Sequence, residues 1–228
     1  MNSGASADHQ PDWLRPHAIP KSAEDAQQEY DQISQTYDAF VQSANYQSPQ
    51  AVAQLLRDLA LRDDNTALQT GAILDAGCGT GLLGLELARH GFENILGFDV
   101  SPNMLKQAEA KAVYAELVRA DLLGSLPWAD EYFNAVICIG VFSRFEEPQI
   151  LQILTEFARV TQQDGLILFS HREDLMKESH LMDLIDQNPR LQVELITEPL
   201  PYLPEADGYQ NIGVQYAVLK NVVTTTLS

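Results

Sequence analysis

The run Asp75-Ala76-Gly77-Cys78-Gly79-Thr80-Gly81 sets a carboxylate immediately ahead of three closely spaced glycines. Glycine lets backbone come close to a ligand, and the flanks supply the scaffold: Ile73-Leu74 reads as a buried strand, and residues 82–88 as a helix opening over the turn. Such a turn suits a nucleoside cofactor. Residues 79–84 also satisfy the dinucleotide pattern G-x-G-x-x-G, with Asp99 20 positions beyond Gly79, where a ribose-binding acid belongs. A phosphate-binding P-loop is excluded, because no Gly-Lys-Ser/Thr follows.

The carboxylates weigh the alternatives. A fixed negative charge at Asp75 is badly placed for pyrophosphate on the same turn and well placed for an ammonium group. S-adenosylmethionine carries that ammonium and no phosphate. Asp99, at the end of the next apolar run, can accept both ribose hydroxyls, and Asp121, at the end of the third, can accept the adenine amino group.

In order and spacing these segments resemble the class I S-adenosylmethionine-dependent methyltransferases over about residues 25–220. Residues 75–81 resemble the family's first motif, Gly97-Phe98-Asp99-Val100-Ser101-Pro102-Asn103-Met104-Leu105 its second, and Arg119-Ala120-Asp121-Leu122 with Leu126-Pro127-Trp128 its third. Residues 133–142 fit the fourth strand, with Asn134 where many members have Asp. The resemblance implies a cofactor site drawn from Tyr37, Asp75, Ala76, Gly77, Cys78, Gly79, Gly81, Asp99, Val100, Met104, Asp121, Leu122 and Cys138. By it, Val100 and Met104 flank adenine, and Tyr37, in the paired Tyr30-Asp31 and Tyr37-Asp38, closes the methionine end. It also implies S-adenosylmethionine as cofactor, S-adenosylhomocysteine as product, and no metal.

An oxygen or protonated nitrogen acceptor needs a base, for which His171, Glu173 and Tyr37 are the candidates. Arg144, His171 and Arg172 are expected on solvated surface, and Cys78 as a small buried filler. The absence of Asn/Asp-Pro-Pro-Tyr after the fourth strand speaks against amino-group chemistry on nucleobases. A small-molecule acceptor is favoured, a protein side chain comes second, and a non-catalytic cofactor-binding protein is the alternative from another class.

The elements that must position these residues alternate. Strand candidates at residues 73–76, 95–100, 113–119, 135–140 and 166–170, separated by helical patterns, give a doubly wound α/β fold with a mostly parallel seven-stranded sheet. Runs at 191–197 and 214–219 complete it, the last strand antiparallel. Ser22 caps a helix through about Asp38 and Ser48-Pro49 begins a second, so two helices precede the first strand. Further helices are expected over residues 149–161 and 175–187. Residues 1–20, with Pro11, Pro16 and Pro20, read as a mobile arm before one domain at 21–228, comprising a helical cover at 21–62 and an α/β core at 72–220. Substrate cover falls to residues 1–47, 171–182 and 199–210.

Composition narrows the partners. With 14 basic against 32 acidic residues the net charge is −18, which repels nucleic acid and anionic membrane surfaces. No signal-peptide layout or spanning apolar run is present, so a soluble cytoplasmic protein is expected. Cys78 and Cys138 have no paired spacing and are expected to be reduced thiols.

Overall fold

The computed structural model describes Ile19, residues 22–62 and residues 66–222. The expected N-terminal arm lies, apart from Ile19, outside the described residues. The principal strands are β1 (Ile73–Ala76), β2 (Ile95–Asp99), β3 (Glu116–Arg119), β4 (Phe133–Cys138), β5 (Thr161–Arg172), β6 (Leu191–Ile196) and β8 (Gly213–Asn221). Their order is β3-β2-β1-β4-β5-β8-β6, and the two-residue β7 (Leu200–Pro201) pairs with β8. β1 to β5 run parallel, while β8 is antiparallel to both β5 and β6. The doubly wound, mostly parallel sheet with an antiparallel last strand is therefore what the chain forms.

Strands buried on both faces need apolar residues at odd and even positions alike. Leu74, Val136, Phe169 and Leu219 enter one core with Ile153 and Phe157 of α7 (Glu147–Val160), which also takes in α8 (Glu173–Glu178) and α9 (Leu181–Asp186). Their neighbours Ile73, Ile137, Leu168 and Val218 enter the other. That second core holds Leu56 of α3 (Ser48–Arg62), Leu68 of α4 (Thr66–Thr70) and Leu83 of α5 (Leu82–Arg89). No helix among the described residues is long and apolar enough to cross a membrane.

The structure corrects several boundaries. The expected helix through Asp38 breaks into α1 (Ala23–Ile33) and α2 (Tyr37–Ser43), because Ser34 Oγ and Thr36 Oγ1 donate to the Asp31 and Ile33 carbonyls and divert the backbone into a turn. With α3 and α4, four helices among the described residues, rather than the two expected, precede β1. The helix expected over residues 175–187 divides where Ser179 takes an extended conformation. β5 begins at Thr161, five residues before Leu166, since polar Gln162, Gln163 and Asp164 hide strand that the register shift beside Phe133 and Ala135 accommodates.

Candidate active site

Parallel strands deliver their carboxyl ends to one edge, where open α/β sheets bind ligands. Here that edge borders a cavity of about 950 Å³, open mouth included, walled by Phe98, Asp99, Val100, Asp121, Leu122 and Val141 and covered by Tyr30 and Tyr37. A second, of about 360 Å³, is lined by Tyr46, Asp75, Cys78, Gly79 and Thr80. Tyr37, Gly77 and Ile139 stand in both walls, so the cavities meet there. Gly77 holds φ +70°, and a Cβ on it would lie 3.0 Å from Val141 Cγ2, a contact that would crowd the junction.

Each acid is fixed differently. Asp99 is 9% exposed, and its Oδ2 and Oδ1 accept the N–H groups of Gly79 and Ser101, each at 2.9 Å. Burial pushes its carboxyl upward against the pull of those amides. A carboxylate has about four lone-pair sites, and these bonds with a further one from the Val100 amide leave room for a ribose hydroxyl. Asp121 Oδ1 accepts the Leu123 N–H at 3.0 Å, which turns the chain after β3 along the wall. Asp75 is 2% exposed and accepts the Tyr114 hydroxyl at 2.6 Å. Burial lifts it to about 7, with Tyr114 opposing the rise. A bound cation would relieve that cost.

Tyr114 was not legible as a site residue from its surroundings in sequence. Its ring occupies the space that Cβ atoms on Gly81, Gly84 and Gly97 would fill, approaching them to 2.9, 2.3 and 2.9 Å. The later glycines of the dinucleotide-like pattern thus seat a tyrosine against Asp75. Gly81, Ala76, Met104 and Cys138 are absent from both cavity walls. Met104 is 1% exposed in α6 (Pro102–Glu109), and Cys138 is fully buried at the end of β4. Burial pushes the Cys78 and Cys138 thiols well above their usual range.

The repeated Tyr-Asp pairs divide their labour. Tyr30 and Tyr37 face the cavity, while Asp31 accepts the Ser101 hydroxyl at 2.5 Å and the Asn103 N–H at 3.2 Å. Asp38 accepts the Thr80 hydroxyl at 2.5 Å and pairs with Lys111 at 2.9 Å. The cover is therefore tied to the very loops that carry the glycines and Asp99. Asp31 is partly buried, which raises its carboxyl, but Ser101, Gln27 and Asn103 outweigh this and hold it below its ordinary value.

Three basic residues expected at the surface are buried instead. Arg144 is 8% exposed, lines the larger cavity, pairs with Glu29 at 2.5 Å and lies over the Tyr30 ring. Arg172 pairs with Asp174 and lies over Tyr209. His171 is 6% exposed, and burial followed by the Arg172 charge lowers it to about 4, so the ring is neutral. The reason is tertiary: Arg144 lies against Glu29 and Tyr30 of α1, Arg172 ends β5 against Tyr209, and His171 precedes it in the same buried strand. Glu173 pairs with Lys177 and stands in none of these walls.

Residues 73–165 match the family described as Methyltransferase domain. The sequence is 33% identical to human Methyltransferase-like protein 27 over 157 residues, 68% of this chain and 61% of that protein. The chain belongs to the class I S-adenosylmethionine-dependent methyltransferases. A putative methyltransferase of Geobacillus sp. (strain WCH70) is 32% identical over 61% of this chain and 56% of its own length. The chain thus spans about three-fifths of the length of these two relatives. Magnesium protoporphyrin IX methyltransferase of Synechocystis, solved with bound S-adenosylmethionine, superposes with TM-score 0.57 over 80% of this chain and 82% of that one at 18% identity. The 4+2 cyclase SpnF superposes with TM-score 0.68 over 90% and 99% at 17% identity. At such identities the superpositions show this methyltransferase fold alone.

Proposed function

We propose that the protein transfers a methyl group from S-adenosylmethionine to a small-molecule acceptor. The observation that carries this is the convergence of Asp75, Asp99 and Asp121 on two cavities that meet at Tyr37, Gly77 and Ile139. The donor set fits the cofactor: Asp99 for the ribose diol, Asp121 with Val100 and Leu122 for adenine, and the buried Asp75 for the ammonium. When bound, the cofactor supplies a methyl group on a sulfonium, an activated electrophile. Tyr30 and Tyr37 exclude water from the junction and orient what meets there. Burial pushes the Tyr37 phenol well above its usual value, which keeps it protonated and suits it to positioning rather than proton removal.

Of the candidate bases, His171 alone lines a cavity on the acceptor side. Its low proton affinity makes it a hydrogen-bond partner for an acceptor rather than a strong base. A second reading, a cofactor-binding protein without methyl transfer, is favoured by one observation: a cyclase shares this fold.

S-adenosylhomocysteine at 100 times its dissociation constant adds about 2.7 kcal/mol to stability, and NAD adds none. The opposite pattern in a thermal-shift comparison overturns the assignment. Labelled methyl appearing on a metabolite pool decides for transfer, and silence across broad pools decides for the binding protein.

A further inference from the structure

Beyond the cofactor cavity, the segment before α7, α7 itself and α8 enclose a further cleft of about 740 Å³, open mouth included. His171 stands in its wall, 6% exposed, and its Nδ1 has no hydrogen-bond partner among the described residues. A buried ring nitrogen left unpaired is costly, and a ligand that reaches the ring would remove that cost. His171 and Ser143 also line a narrow passage whose other wall includes Gly140 and Val141 of the cofactor cavity. Phe145 borders cleft and cavity directly. Whatever fills the cleft therefore abuts the end of β4.

The lining is amphipathic and carries one sign of charge. Phe145, Ile150 and Leu175 offer apolar surface, while Glu146, Glu147 and Glu178 supply three carboxylates. No Lys or Arg lines it among the described residues. Nearby cations are engaged elsewhere, Arg144 with Glu29, Arg172 with Asp174 and Lys177 with Glu173. The neutral His171 ring adds no compensating charge. Grouped carboxylates repel an anion and attract a cation, the apolar wall favours an apolar body, and the net charge of −18 steers the same choice.

We infer that this cleft holds the methyl acceptor and that the acceptor is a cationic amphiphile, an amine on an apolar body with a polar end that reaches His171. The assignment of the cleft to an acceptor rests on the methyl-transfer reading above; its preference for amines does not.

The test uses octylammonium and octanoate as probes, titrated into the full chain with and without saturating S-adenosylhomocysteine, read by calorimetry and by the His171 ring NMR signals. Octylammonium shifts those signals and binds whether or not S-adenosylhomocysteine is present, and octanoate does neither. E178Q weakens the amine about threefold, and E146Q/E147Q/E178Q at least about tenfold, with S-adenosylhomocysteine affinity unchanged. Equal binding of octanoate, displacement of the amine by S-adenosylhomocysteine, or undiminished amine affinity in the triple variant overturns the inference. If the triple variant fails to fold, E178Q and the wild-type amine-to-carboxylate comparison decide. Failure of S-adenosylhomocysteine to bind counts against the methyl-transfer reading, while amine binding to the free chain still decides the cleft's preference.

Discussion

β1 and α1 border the two joined cavities and are held by different physics. All four residues of β1 are buried, Leu74 and Ala76 in one core and Ile73 in the other, on opposite faces of the sheet. α1 has no buried residue and is tied by polar contacts: Gln27 to Arg119, Glu29 to Arg144, and Asp31 to Ser101 and Asn103. Apolar burial contributes a few kcal/mol per large side chain, whereas exposed or partly exposed polar ties each contribute about 1 kcal/mol or less. The floor can stay ordered while the cover releases, which gives a ligand a way in at low cost.

Four substitutions or titrations bear on that contrast. Phe98→Ala in the floor lowers unfolding free energy by about 3–5 kcal/mol in denaturant titrations, as expected for a fully buried aromatic. A loss under about 1 kcal/mol would erase the distinction between floor and cover. Asp99→Ala removes the acceptor for a ribose diol and unpairs the Gly79 and Ser101 amides, so calorimetry shows S-adenosylhomocysteine bound at least about a hundredfold more weakly. Unchanged affinity takes Asp99 out of the site.

Acidity separates the regions next. Burial lifts Asp75 to about 7, so the folded chain holds a proton that the unfolded chain, titrating near 3.8, has released. Stability of the free protein therefore falls as pH rises from about 4 to 7 and levels off above. Protonated Asp75 cannot neutralise an ammonium, so affinity for S-adenosylhomocysteine drops about tenfold between pH 8 and pH 6. Asp75→Asn abolishes both slopes, and a slope that survives the substitution belongs to another group. Asp31 has the opposite sign: its lowered value gives stability that is present above the unfolded pKa and lost as pH falls through the folded one. The smallest effect is Asp31→Ala, about 1 kcal/mol or less on global stability, with faster hydrogen exchange confined to α1. Loss of protection throughout β1 and β2 would show that the cover and the floor unfold together.

Strand ends carrying Asp75, Asp99 and Asp121 were legible because apolar runs bounded by glycine or proline leave few positions for the acid at each end. The Tyr-Asp pairs were half legible. Tyr37 was expected at the cofactor, but the part of Asp31 and Asp38 in fastening the cover depends on partners 70 and 42 residues away. Tyr114 is the clearest miss, since its bond to Asp75 spans 39 positions and its space is made by glycines from α5 and β2 as well as the loop. Arg144, His171 and Arg172 were placed in solvent because charge predicts exposure one residue at a time, and only packed neighbours reverse that.

Local pattern by itself determined the order of the principal strands, the glycine turn and the three acids, because backbone propensity and apolar periodicity act over a few residues. Tertiary structure alone decided which glycines border the cavity and which seat Tyr114, how α1 is fastened, and that His171 lies buried beside an acidic cleft. Those depend on contacts between segments far apart in the chain, where side-chain volume and desolvation, rather than spacing, set the outcome.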